Sequence, residues 1–122
     1  IPEAWDEKML SYLGLSTAGN YTDGCLQDIH WTVGSFGYFP AYTIGALNGI
    51  QMYSAFCRSN PDWQEQFARG DVSAIRDWLQ DIIWSRGCFF ESQELMRRAT
   101  GDETNPDYFL TYIKDRYLGE RY

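Results

Sequence analysis

Ile75, Trp78, Leu79, Ile82 and Ile83 recur at the three- and four-residue spacing of a single helix face, a pattern no strand can present. The same spacing returns along the rest of the chain. No stretch alternates apolar and polar residues over a useful strand length, and no segment repeats. The expected fold class is all-α.

Proline, glycine and small polar residues mark where the helices begin and end. Pro2 opens a helix carrying Trp5, Met9, Leu10 and Leu13 and closing near Gly14, and "STAGNYTDG" follows as a loop. Asp23 is expected to cap a short helix running through Trp31, with Gln27, His30 and Trp31 on one face and Asp28 pointing elsewhere. After Gly34 and Gly37, Pro40 opens a helix to about Arg58 with Leu47, Ile50, Tyr53, Ser54 and Cys57 on one side. Gly45 and Gly49 lie four apart within it. Each costs a helix about 1 kcal/mol against Ala, so the pair predicts a backbone packed closely against that face. Pro61 starts a short helix ending near Gly70, Asp71 caps the next, and Gly87 stops it. Ser92 precedes a helix ending in Arg97, Arg98 and Gly101, and Asn105-Pro106 opens the last, with Phe109, Leu110, Ile113 and Tyr117, which stops at Gly119.

A chain of 122 residues is one domain's worth, read here as a single helical segment over 1–122. Its net charge of −7 repels a phosphate backbone and excludes nucleic acid as a partner. Cys25, Cys57 and Cys88 are odd in number and widely spaced, which predicts reduced, buried thiols and a reducing compartment. One histidine cannot complete a ligand set, so no metal site is expected. The opening "IPEAWDEKMLSYLGL" lacks a signal peptide's basic start followed by an apolar block, and no run approaches the roughly 18 apolar residues of a membrane span. The expectation is a soluble, cytoplasmic chain with no membrane partner, and the missing initiator Met predicts a piece of a longer protein. Trp5, Trp31, Trp63, Trp78 and Trp84 are many for so small a core, so some rings are expected to meet another surface.

The stretch "DGCLQDIHWTVGSFGYFPAY" concentrates polar side chains that a plain core segment would not carry. His30 can serve as a general base, a carboxylate-binding cation or a structural hydrogen-bonder. Gln27, Tyr38 and Tyr42 are hydrogen-bond donors close to it along the chain. Ser35 is not in a nucleophile elbow, because Val33 stands where that turn needs glycine. "GSFG" is not a phosphate loop, since no Lys follows and no strand precedes. Asp77 and Asp81 read as the solvated face of a helix.

"GCLQDIHW", Gly24 to Trp31, fits the G-x-x-Q-D-x-H-W motif of the Taq-type thermostable metallocarboxypeptidases, and "GSFGYFPAYTIG" continues in that family's manner. "IPEAWDEKMLSYLG", the stretch "ARGDVSAIRDWLQDIIWSRGCFFESQELMRRATG" and the ending "NPDYFLTYIKDRYLGERY" resemble the family's C-terminal region in the same order. The resemblance implies the helical C-terminal portion of a larger zinc metallopeptidase that removes single residues from peptide C-termini, commonly dimeric and cytoplasmic. It implies His30 as the catalytic residue in the substrate cleft, with Gln27, Tyr38 and Tyr42 as further substrate-binding candidates. Gly24, Asp28 and Trp31 become structural members of the motif, Asp28 bonding backbone or a neighbouring segment. Zinc belongs to the parent enzyme and none to this chain, because no His-Glu-x-x-His can be written with one histidine. The partners implied are a peptide C-terminus, the missing N-terminal part and a second copy. Two rival readings are a stand-alone, non-catalytic helical interaction module and a small-ligand domain built on the His30 pocket.

Overall fold

The structure, a computed structural model, describes residues 1–119. The last three residues of the expected 1–122 segment, and of its "NPDYFLTYIKDRYLGERY" ending, lie outside the described ones. Every regular element among the described residues is helical. The chain divides into two compact units, Ile1–Tyr38 and Phe39–Tyr122.

The first unit holds one α-helix, α1 (Pro2–Leu13). Gly14 closes it in the left-handed conformation at φ 69°, its N–H donating to the Leu10 carbonyl at 3.0 Å. No residue of α1 is fully buried. The loop behind it is tied back by polar groups. Asp6 Oδ1 accepts from the Thr17 N–H at 2.5 Å and the Ser16 hydroxyl at 3.0 Å. The Thr17 N–H, then the Ser16 hydroxyl, hold that carboxyl below its ordinary range.

In the second unit α2 (Pro40–Ser59) is the central element, packed against α5 (Ser92–Thr100) and α6 (Asp107–Ile113), with α3 (Trp63–Ala68) and α4 (Ser73–Ile82) between. The elements follow the expected punctuation. Asp71 accepts from the Ser73 N–H at 2.9 Å ahead of α4, Gly101 ends α5 at φ 97°, and Asn105 Oδ1 accepts from the Asp107 N–H at 2.9 Å. Phe56 is fully buried, its ring stacked on Phe67 at 6.1 Å and edge-on to Trp78 at 6.2 Å. Trp63 meets Phe67 and Tyr53 edge-on, completing an aromatic cluster drawn from three helices.

The centre of α2 is not purely apolar. Gln51 is fully buried, and its Nε2 faces Thr100 Oγ1 at 2.8 Å and the Asp102 and Glu103 carbonyls at 3.2 and 2.9 Å. Its Oε1 accepts from the Asn105 N–H at 2.9 Å. Asn48 and Arg58, on either side along α2, bond Thr104 and the Thr100 carbonyl. A buried polar stripe thus fixes the connection between α5 and α6, satisfying backbone groups that burial would otherwise strand.

Leu47, Ile50, Tyr53, Ser54 and Cys57 of α2 are all half-buried, flanking the fully buried Gln51, Ala55 and Phe56. Three expectations need correction here. Among the described residues a Cβ built at Gly45 or Gly49 would meet nothing within 4 Å, so no close backbone there accounts for that pair. Cys25 is buried but Cys57 is half-buried and Cys88 exposed, all three as free thiols. Leu110 and Tyr117 face outward, leaving Phe109 and Ile113 as the half-buried residues of that face.

Candidate functional site

The expected helix from Asp23 to Trp31 does not form. Only Cys25–Gln27 makes a 3-10 turn, after which Asp28 is extended at φ −82°, ψ 103°. The reason is a competition that the Asp28 side chain wins. Its Oδ1 accepts from the His30 N–H at 2.9 Å, capturing a backbone donor that a continuing helix would need. Asp23 does not cap either, since its N–H and carboxylate both bond Asn20.

Asp28 therefore does not point away from His30, as helical spacing predicted. The same Oδ1 lies 2.6 Å from His30 Nδ1, with the Asp28 side chain 9% exposed and that of His30 22% exposed. Burial pushes the Asp28 carboxyl up, but the His30 backbone N–H, its ring and its charge outweigh that and hold the group below its ordinary value. The His30 carbonyl is also engaged, accepting from the Ser35 N–H at 2.9 Å. The histidine is thus fixed through both backbone groups and one ring nitrogen.

Two glycines shape the next turn. Gly34 and Gly37 take φ 74° and 73°, a conformation costly for any residue with a Cβ, and Tyr38 returns to stack on His30 at 5.2 Å with planes 21° apart. Gly24 serves a different need. A Cβ there would stand 2.6 Å from the Asn20 carbonyl oxygen, so only glycine lets these two backbones approach. Trp31 packs on Phe36 at 5.6 Å, and its indole N–H is buried with no hydrogen-bond partner among the described residues.

Of the substrate-binding candidates, only Tyr38 is brought against His30 within this unit. Gln27 Nε2 donates to the Thr22 carbonyl at 2.8 Å, which turns its amide toward the local loop. Tyr42 belongs to the second unit, in the first turn of α2, where its ring meets Phe39 at 5.9 Å. The residue that helical spacing misplaced is Asp28. The spacing Asp-x-His carried the signal, because Asp readily bonds the backbone two residues on.

The donor set does not fit the zinc that the resemblance implies. One histidine is present, and no group of three or more His, Cys, Asp or Glu side chains comes together among the described residues. No helix of the described residues is long and apolar enough to cross a membrane.

Residues 1–117 match the family model described as carboxypeptidase Taq (M32) metallopeptidase. Thermostable carboxypeptidase 1 of Pyrococcus furiosus is 38% identical over 118 residues, and that of Thermus thermophilus 37% over 117. These alignments take in 97% and 96% of this chain but 23% of each relative, so the chain spans less than a quarter of their length. Among solved structures, Trypanosoma cruzi metallocarboxypeptidase 1 superposes with a TM-score of 0.88 at 40% identity, covering 97% of this chain and 25% of that one. The M32 carboxypeptidase of Deinococcus radiodurans R1 gives 0.86 at 34%, covering 97% and 24%. The chain belongs to the carboxypeptidase Taq (M32) metallopeptidase family.

Proposed function

We propose that this chain is part of a metallocarboxypeptidase that hydrolyses the last peptide bond of its substrate, and that the segment around His30 forms one wall of the cleft. The observation that carries the reading is the family match over residues 1–117, which includes a G-x-x-Q-D-x-H-W stretch whose histidine is held rather than loose. In its protonated form, an imidazole fixed in this way can donate from Nε2 to a substrate's terminal carboxylate or to an oxyanion as it develops. Tyr38 supports the ring by stacking, Gln27 offers the second N–H of its amide on the same segment, and Tyr42 is a separate candidate donor on the second unit. Zinc and its ligands are supplied by the part of the protein beyond these residues, and no step assigned to this chain runs through the metal. Its other partners are the remainder of the same protein and, in a homodimer, a second copy. Three free thiols suit a cytoplasmic setting.

The test is His30→Ala in the full-length protein. Zinc content and helical signal should stay nearly unchanged while kcat/KM falls about 10²-fold, the scale of losing one oxyanion donor. A loss mainly in KM would assign His30 to uniform carboxylate binding, and a loss mainly in kcat to contacts made in the transition state. Normal activity per folded molecule would make His30 a structural hydrogen-bonder and end this reading.

A further inference from the structure

The motif places an acid two residues before its histidine, and in the structure one oxygen of that acid takes both the backbone N–H and the ring Nδ1 of His30. We propose that Asp28 is the positioning residue of this site, selecting the Nδ1–H form of His30 so that the ring acts on substrate through Nε2. The inference rests on the proposed reading of His30 as a substrate contact and adds which atom acts and what aims it.

Three features carry it. A carboxylate oxygen at 2.6 Å can only accept, so the proton between the pair belongs on Nδ1, and the ring's proton-dependent role passes to Nε2. The bond from the His30 N–H to the same oxygen locks the Asp28 side chain to the histidine's own backbone, so acid and ring move as one piece. The Tyr38 ring, stacked at 5.2 Å, restricts rotation of the imidazole out of that plane. Ring tilt, proton placement and backbone are thereby set without any contact from Asp28 to substrate. When the ring is protonated Nε2–H donates to a carboxylate or oxyanion, with Asp28 balancing the charge. When it is neutral Nε2 accepts.

A double-mutant cycle in the zinc-loaded full-length protein tests this, with kcat/KM measured for His30→Ala, Asp28→Ala and the pair. Asp28→Ala alone should lower kcat/KM by about 10-fold to 10²-fold, the cost of misplacing a reacting group by a fraction of an ångström to an ångström. The double variant should be no worse than His30→Ala, because a residue acting only through His30 has nothing left to position. If Asp28→Ala does not fold, Asp28→Asn replaces it in the cycle; it keeps an acceptor oxygen, so its loss should be smaller while the same non-additivity holds. The tautomer supplies a readout that a merely structural role would not move. The ¹⁵N signals of His30, assigned by their absence from His30→Ala, should show Nδ1 protonated in the native protein and a mixed state in the Asp28 variant. Losses that multiply in the cycle, or a native ring protonated only at Nε2, would overturn the proposal. A normal His30→Ala enzyme would instead overturn the reading beneath it, so the two failures are distinguishable.

Discussion

The two units are held by different kinds of bond. In residues 1–38 side-chain ties run over short stretches of sequence: Asp28 to His30, Gln27 to Thr22, Asn20 to Asp23, with Asp6 to Thr17 spanning eleven positions. In the second unit Gln51 reaches 49 to 54 residues along the chain, and Phe56 sits under rings from two other helices. The second unit has a core, whereas the first buries Cys25 and leaves Leu26, Ile29, Val33 and Phe36 more than two-thirds exposed. Polar turns can hold a histidine's geometry, but little apolar burial stands behind them. Sites are commonly drawn from segments with so little apolar burial.

The comparison breaks most visibly at Gln51. Gln51→Ala would leave two carbonyls, an N–H and a hydroxyl without this partner in a dry setting, at a cost of about 3 kcal/mol. Chemical unfolding of the 122-residue chain should show that loss, and amide exchange should show it concentrated between Thr100 and Asn105. An effect below about 0.5 kcal/mol would mean that water replaces the side chain and the stripe is not a latch.

Gly37 offers a smaller perturbation on the other side. Gly37→Ala imposes about 1–2 kcal/mol of left-handed strain at φ 73° with no clash to blame, since a Cβ there meets nothing within 4 Å. The expected signature is local: the Tyr38 ring should lose its place over His30, seen as altered ring shifts in proton NMR, while the Phe56 cluster keeps its own.

Acid should separate the units most gently. Two of the ties in residues 1–38 end on Asp6 and Asp28, both held below the ordinary carboxylate range, whereas the Gln51 latch does not titrate. Because these folded values lie below the unfolded ones, the stability they contribute is present above about pH 4 and lost as pH falls through the folded values. Exchange protection at His30 and Thr17 should therefore fade below about pH 4, before protection at Asn105 does. Simultaneous loss would merge the two regions into one cooperative block.

Much of the second unit was legible because its boundaries are local chemistry: Pro40 and Asn105 at helix starts, Asp71 ahead of α4, Gly101 at an end. What escaped the sequence depends on partners far along the chain or on side chains competing with the backbone. In the sequence Gln51 is one polar residue among apolar ones, and nothing in its spacing names Thr100 or Asn105. Helical periodicity set Gln27, His30 and Trp31 on one face, yet it carries no weight where Asp28 captures the His30 N–H. The open space beside Gly45 and Gly49 is likewise invisible to composition. The motif itself is readable residue by residue, and to the backbone bond expected of Asp28 the structure adds a second one, from the same oxygen to the His30 ring.

The central claim is that His30 faces the end of a peptide substrate. A crystal structure of the full-length protein with zinc and a non-hydrolysable peptide tests it directly. We predict His30 Nε2 within about 3 Å of the peptide's terminal carboxylate or of the oxygen of its last peptide bond, a hydrogen-bond distance, with Nδ1 still on Asp28. A peptide bound in the zinc cleft with the His30 ring out of reach of both oxygens would contradict the account.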